Sequence, residues 1–447
     1  MRRTTLRDAS GILEPVVSAM EPRVGLAEFL ALLECAKAPL KEYLADGLGG
    51  EIPAKAVALK ILNLCLAKHH FLARSAAVLS KPLGLVIDPI NNCNLSCPGC
   101  VHSVRARSEK LFQWSSGMLP ENCYSALLRR YGPWALEIMM CNYGEPLLNP
   151  NTPKFVAMAR SYLMRSGLST NMTAKRFDAG AYVDCGLDFM TISLDGATQA
   201  TYERYRRDGD LELAFANIRA LVAARRERGR ENPILSWQFL GFEHNAHEID
   251  AAIAIARELG VDQFVVASPF DVSWDEPGIR PADSVEPRTI FFRGDMERRM
   301  IANFNPAPNE LAADAINEAW EAGFPAAPLN EPASASAHSC QWLYRNLVMD
   351  ATARVLPCCA APKPGADLVF DTFASQDSFN SAKYRLARTW FADPAAYRAE
   401  AGDLNPHCAK CEWNQDTAHT DREQVEQYLK TLPRDILGAD VRSLLSW

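Results

Sequence analysis

The chain has 447 residues and 13 cysteines, and eight of the cysteines fall into two groups. The first group reads Asn92-Cys93-Asn94-Leu95-Ser96-Cys97-Pro98-Gly99-Cys100, a C-x3-C-x2-C spacing. Three thiolates this close in sequence can hold one face of a metal cluster and leave its fourth corner open. A closed structural zinc site takes four ligands, which would recruit His102 as the fourth. An iron–sulfur cluster held by three cysteines instead leaves one iron for a non-protein ligand. The second group is Cys340, Cys358, Cys359, Cys408 and Cys411. Cys340, Cys358, Cys408 and Cys411 suffice for one fully coordinated cluster, or for an all-cysteine zinc site. Sequence does not separate Cys358 from Cys359 as the ligand. An odd cysteine count without an apolar N-terminal signal stretch argues against a disulfide framework. Cys35, Cys65, Cys123, Cys141 and Cys185 are scattered through mostly apolar segments and read as small buried hydrophobes.

The elements that must position these groups follow from periodicity. Residues 1–80 carry apolar positions at helical spacing, with Gly47, Gly49 and Gly50 as a break, and predict a helical N-terminal extension. From residue 81 to 270 strand and helix patterns alternate. Apolar runs at 83–89, 135–140, 168–172, 189–194, 234–242 and 263–267 predict six strands. Helices are expected at 153–165, 211–228 and 248–259, with Gly167, Gly229 and Gly260 as their C-terminal stops. Such alternation implies a parallel sheet, either a partial barrel or a doubly wound sheet, and in both the chemistry gathers at the C-terminal strand ends. The Cys93 loop directly follows the first strand. Residues 271–337 are proline-rich and read as a bridge or lid, with a helix-like stretch at 311–322. A Cys-rich unit follows at 338–415, opening with a strand-like 346–349, and residues 416–447 form a helical tail.

At this point a resemblance becomes specific. A C-x3-C-x2-C loop after the first strand of a βα repeat looks like the radical S-adenosylmethionine (SAM) superfamily, and the rest of the chain agrees. The second strand ends Asn142-Tyr143-Gly144-Glu145-Pro146, similar to the family's GGEP motif with Tyr143 in place of the first Gly. The third ends Ser169-Thr170-Asn171 and the fourth Ser193-Leu194-Asp195-Gly196, both similar to family segments beside the cofactor. Residues 202–217 resemble the stretch whose Arg meets the cofactor carboxylate. Arg206 is the matching position, with Arg204 and Arg207 as neighbours; a guanidinium suits the role through its planar fork. The resemblance covers roughly residues 83–270. It implies a partial (β/α)6 TIM-type barrel and an open [4Fe-4S] cluster on Cys93, Cys97 and Cys100. SAM would contact Gly144, Glu145, Pro146, Thr170, Asn171, Ser193, Asp195 and Arg206. Many relatives carry an aromatic residue before the third Cys; here it is Gly99.

The second group resembles the C-terminal auxiliary-cluster extension called SPASM, or its shortened form, twitch. That pattern has a Cys, an interval and then G-x4-C; here Ala353 replaces the Gly before Cys358. The resemblance implies a second [4Fe-4S] cluster on Cys340, Cys358, Cys408 and Cys411, closed to substrate and serving electron transfer or support. The function it implies is reductive cleavage of SAM to a 5′-deoxyadenosyl radical that abstracts hydrogen from substrate. A small polar, carbohydrate- or aminocyclitol-like substrate is expected, with dehydrogenation, epimerisation or diol dehydration as the outcome. Peptide modification is the alternative, and a non-enzymatic electron carrier is the rival from another class. Cys141, at a strand end, is a candidate hydrogen donor. His244 and His247, after the fifth strand, are candidate acid/base or substrate contacts. A flavodoxin- or ferredoxin-type reductant is the expected partner.

Composition bounds the rest. Lys+Arg 47 against Asp+Glu 54 gives a net charge of −7, which argues against general nucleic-acid or anionic-membrane binding. No apolar run approaches the ~20 residues of a membrane-spanning helix, and a cytoplasmic location is expected.

Overall fold

In the computed structural model the described residues are 74–100, 117–269, 278–293, 340–359, 371–373 and 377–400, with isolated positions at 59, 60, 63, 66, 67, 70, 71, 102, 312, 314–316, 318, 319 and 408. Residues 1–58 of the expected helical extension, Cys35, Cys65, Cys411 and the 416–447 tail lie outside them.

The chain runs β1 (Gly84–Ile87), α1 (Glu121–Tyr131), β2 (Glu137–Met139), α2 (Thr152–Arg160), β3 (Arg165–Thr170), α3 (Ala179–Asp184), β4 (Phe189–Ser193), α4 (Gln199–Tyr205), α5 (Leu211–Glu227), β5 (Ile234–Leu240), α6 (Ile249–Leu259) and β6 (Gln263–Ala267). Strands β1 to β6 lie side by side in chain order, every pair parallel. Sequential order is the winding of a barrel; a doubly wound sheet would put its first strand in the middle. Of the two architectures open from the pattern, the partial barrel is the one formed.

Side-chain alternation explains the layers. Leu85, Ile87, Ile138, Leu168, Met190, Ile192 and Leu235 are almost fully buried in the core. Tyr124, Leu127 and Leu128 of α1, Phe155 and Val156 of α2, and Phe215, Ile218 and Leu221 of α5 pack into the same core. Local chemistry starts the helices: Asp178, Thr198 and Asp210 each accept a backbone N–H three residues ahead.

Two expectations at 153–172 need correction. The helix ends at Arg160, and Leu163, not Gly167, takes the left-handed backbone (φ 59) that turns the chain. Gly167 lies inside β3 with Met139 Cε packed over it at 3.2 Å from where a Cβ would stand. The periodicity of 153–165 ran on because Tyr162, Leu163 and Met164 are buried connector residues. Gly229 (φ 59) and Gly260 (φ 78) do occupy the left-handed positions after α5 and α6.

The sheet extends at both edges. β7 (Arg288–Phe291) pairs antiparallel with β6, placing an unexpected strand in the proline-rich stretch. After α7 (Trp342–Arg345), β8 (Asn346–Met349) pairs parallel with β1, from Gly84↔Asn346 to Ile87↔Met349. β9 (Arg354–Leu356) and β10 (Asp371–Thr372) continue antiparallel. The Cys-rich unit thus shares the barrel's own sheet. α8 (Ala382–Ala392) and α9 (Pro394–Glu400) close the described chain. The described positions at 59–71 and 312–319 are helical.

Candidate active site at the strand ends

The Cys93 loop leaves β1 and is tied to its neighbours through backbone and side chain. Ser96 N donates to Arg207 O at 3.1 Å, Glu145 N donates to Asn92 O at 2.8 Å, and Cys100 N donates back to Cys97 O at 3.0 Å. Gly99 (φ 79) allows the reversal between Cys97 and Cys100, which gives that position a backbone reason to be glycine. Cys93 Sγ accepts from Leu95 N at 3.5 Å and from Asn171 Nδ2 at 3.6 Å. Burial pushes the Cys93 thiol up to about 11 and the Cys97 thiol up to about 12, with Arg206 opposing both shifts. Cys93, Cys97 and Cys100 pack with Leu95, Tyr205, Phe242 and Ile279 in one apolar cluster.

These residues fit an iron–sulfur cluster. The three sulfurs share one apolar recess, feel each other's charge, and meet N–H donors and a guanidinium that favour thiolate. Among the described residues no three His, Cys, Asp or Glu side chains gather as tightly as a single metal ion requires. His102 is committed elsewhere: its Nε2 lies 2.7 Å from Tyr143 O.

The second-strand motif folds against this loop. Gly144 must be glycine, because a Cβ there would overlap the Ile90 carbonyl. Glu145 is buried, its Oε1 accepting from Leu147 N at 3.0 Å and Thr170 Oγ1 at 2.7 Å, and its Oε2 from Asn171 N at 2.8 Å. Burial raises its pKa against these three donors and Arg206. Pro146 opens the short 3-10 turn that Glu145 caps. Asn171 also donates from Nδ2 to Asn94 Oδ1 at 3.0 Å, so the third-strand motif grips the cysteine loop directly.

Asp195 and Arg206 form a buried pair. Arg206 Nε donates to Asp195 Oδ2 at 2.5 Å, and Leu240 N donates to Asp195 Oδ1 at 2.7 Å. Burial works against the Arg206 charge, but Asp195 and Cys97 outweigh it and hold the guanidinium ionised. Ser193 Oγ sits 3.5 Å from Ser169 Oγ. Arg206 thus holds its charge beside Cys97 and Cys93 while paired with Asp195.

Asp88 escaped the sequence reading. It follows β1, is fully buried, and its Oδ1 accepts from Asn142 N, Tyr143 N and Gly144 N at 2.8, 2.8 and 3.2 Å. Burial pushes its carboxyl up to about 7, against those three N–H groups. One carboxylate thus shapes the whole turn that leads into Glu145. The available signal was an acidic residue ending an apolar strand five positions before Cys93. Asn245 was missed as well: its Nδ2 donates to Asp195 O at 3.0 Å and to Leu240 O at 2.9 Å, bracing the fourth and fifth strand ends.

The three candidate catalytic side chains are not brought together. Cys141 lines a cavity of about 820 Å³ inside the barrel, together with Cys100 and Tyr143, and burial holds its thiol well above the usual range. His244 is buried against Phe242, with ring centroids 5.4 Å apart, and neither ring nitrogen has a hydrogen-bond partner among the described residues. Burial and nearby Arg204 pull its pKa down to about 4. His247 lies in the 3-10 turn before α6. Neither histidine lines that cavity.

In the second group, Ala353 takes φ 62, the conformation the Gly of the pattern would supply. Cys340 and Cys358 are partly buried, Cys359 is exposed and Cys408 is buried. Cys408 and Cys358 both act on buried Tyr384, whose hydroxyl donates to Leu356 O at 3.0 Å. Cys359 lines the barrel cavity.

Residues 87–236 match the family model described as the radical SAM superfamily. Over these residues the chain carries a radical SAM domain, of a family that works with a [4Fe-4S] cluster and SAM, and it is an enzyme. It is 25% identical to the PqqA peptide cyclase of Gluconobacter oxydans, over 74% of this chain and 83% of that protein. It is 24% identical to the PqqA peptide cyclase of Methylorubrum extorquens, over 75% of this chain and 79% of that protein. Among solved structures, Streptococcus suis SuiB superposes with a TM-score of 0.45 at 13% identity, covering 85% of this chain and 82% of that one. No described helix is long and apolar enough to cross a membrane.

Proposed function

We propose that Cys93, Cys97 and Cys100 hold an open [4Fe-4S] cluster. Gly144, Glu145, Pro146, Thr170, Asn171, Ser193, Asp195 and Arg206 then surround the SAM bound to it. When bound, the pair supplies a 5′-deoxyadenosyl radical that abstracts hydrogen from substrate. The residues of this chain bind, orient and exclude water, leaving the difficult chemistry to the cofactor. The observation that carries the reading is Asn171, which donates one hydrogen bond toward Cys93 Sγ and another, through its backbone, to Glu145. Cluster ligand and cofactor motif are thereby one hydrogen-bonded unit.

The second group reads as a SPASM- or twitch-type auxiliary [4Fe-4S] site on Cys340, Cys358, Cys408 and Cys411, within a unit at 338–415 beside a barrel at 81–270. Tyr384 stands near both Cys358 and Cys408, while Cys359 faces the lumen, which supports Cys358 as the ligand. The substrate enters the lumen, and a small polar molecule of carbohydrate or aminocyclitol type suits its volume, with Cys141 as a lumen-lining thiol for hydrogen return. Peptide modification is the second reading, favoured by the relatives named PqqA peptide cyclase. Electrons arrive from a flavodoxin- or ferredoxin-type carrier, and the enzyme works in the cytoplasm.

The test is anaerobic reconstitution followed by incubation with dithionite and SAM. About eight iron per chain and formation of 5′-deoxyadenosine are expected. About four iron with one zinc refutes the auxiliary cluster, and absence of 5′-deoxyadenosine refutes the enzyme.

A further inference from the structure

The barrel cavity does not stop at the cysteine loop. It runs the length of the lumen, from Cys100, Cys141 and Tyr143 at the C-terminal strand ends to Glu137, Arg165 and Asn346 at the N-terminal ends. That far end is normally where a barrel's side chains serve stability alone. Here it carries an unspent set of polar groups. Asn346, Gly84, Glu137 and Arg165 stand in one register row across four adjacent strands. Gly84 lets the row close up: the Asn346 side-chain oxygen fills the place a Cβ would take, and Glu137 Oε1 lies 3.6 Å from that place, so amide and carboxylate face the lumen side by side. Arg165 Nε is buried without a hydrogen-bond partner among the described residues. Arg165 and Glu137 are neighbours in register, yet no ion pair joins them among the described residues. Arg165 is half-buried and its charge also acts on buried Asp188, but an Nε donor buried without a partner is costly, which favours a ligand acceptor at this end of the cavity.

We propose that this row is the specificity end of the substrate site. Arg165 receives a carboxylate of the substrate through its planar fork. Glu137 and Asn346 receive the N–H or O–H groups beside it. The reacting carbon then extends up the lumen toward Cys100. The inference rests on the radical SAM reading for the position of the reacting end, but the carboxylate site itself does not need the cluster. The carboxylate has two possible sources, a sugar acid or an acidic side chain of a peptide, and the two share this recognition chemistry.

The experiment is saturation-transfer NMR on the full, reconstituted chain with two matched probe pairs. D-glucuronate is compared with D-glucose, and N-acetyl-L-glutamate methylamide with its glutamine counterpart. At least one acid should bind more tightly than its neutral partner, and which one does so identifies the source. Arg165→Gln should weaken that acid about tenfold or more, the loss of one charged hydrogen bond. Glu137→Gln keeps an acceptor oxygen for the N–H or O–H groups and removes a neighbouring negative charge, so it should strengthen binding of the acid. Iron content and 5′-deoxyadenosine formation without substrate should be unchanged in both variants, which separates loss of the carboxylate site from loss of the cofactor site. Equal binding of acid and neutral probes, or acid binding that survives Arg165→Gln undiminished, overturns the proposal. Wild-type protein that binds the acid but never cleaves SAM overturns the functional reading and leaves the carboxylate site standing.

Discussion

The Cys93 loop is stitched by Asn92 O, Asn94 and Asn171 to the segments after the second and third strands and by Ser96 N to Arg207 O after α4, while Cys340 and Cys358 flank short elements added to the β1 edge of the same sheet. In the first region the cysteines sit in an apolar recess whose rim is hydrogen-bonded to the strand ends through residues with a second duty. Asn171 touches Cys93 and Glu145 at once. In the second, the neighbours are aromatic packing residues such as Tyr384 and Tyr344, and the turn before Cys358 tolerates an alanine in a glycine conformation. The difference teaches where geometry is demanded. An open cluster must present one iron and a cofactor at fixed positions, whereas a closed one only has to be enclosed.

The comparison breaks first, and most severely, at the open site. Replacing Cys93, Cys97 and Cys100 with Ala is expected to abolish 5′-deoxyadenosine formation altogether in soluble protein; residual cleavage measured by chromatography would remove this loop from its role. A smaller loss follows from the cofactor contacts. Glu145→Ala and Arg206→Ala should each weaken SAM binding by about 2–3 kcal/mol, roughly 30–150-fold in a cofactor titration, with iron content intact.

The next effect concerns Asp88. Its carboxyl is raised to about 7 by burial, whereas an unfolded chain would titrate it near 3.8. The folded protein therefore binds more protons than the unfolded one between those values, so this group's contribution falls as pH rises from about 4 to about 7. Denaturant unfolding of the metal-free protein across that range should show the decline, and Asp88→Asn should flatten it while retaining an acceptor for the 142–144 turn. An identical pH slope in both proteins would deny Asp88 its place under the motif.

The smallest effect sharpens the other side. Ala353 at φ 62 holds a left-handed backbone that costs an L-residue about 1–2 kcal/mol. Ala353→Gly should regain up to about 1 kcal/mol, the remainder offset by added freedom in the unfolded chain, read as a raised midpoint of thermal unfolding. A destabilised variant would mean that the Ala353 methyl is packed to advantage.

Much of this was legible in the chain. The cysteine spacing, Glu145, Asn171, Asp195 and Arg206 announced themselves because strand-end chemistry sits in short contiguous segments. Asp88 did not, since its meaning lies in three backbone N–H groups some 55 residues away. The parallel pairing of β8 with β1 was equally hidden: residues 346–349 read as a strand, but partner choice is a long-range property. The helix expected to reach residue 165 failed because burial continues through the connector while helical backbone does not, Leu163 having turned left-handed. Arg165 was accordingly read as a helix residue, and its place on the lumen floor emerged only once β3 was seen to begin there.

The central claim is that one cluster is open to the cofactor and the other is closed. Its most direct test is low-temperature EPR of the reduced Cys408→Ala/Cys411→Ala protein, with and without SAM, alongside iron counting and product analysis. The account predicts a soluble protein with about four iron, a reduced-cluster signal that shifts when SAM is added, continued formation of 5′-deoxyadenosine and no conversion of substrate. A signal indifferent to SAM in this variant, or full substrate conversion without the second cluster, would contradict it.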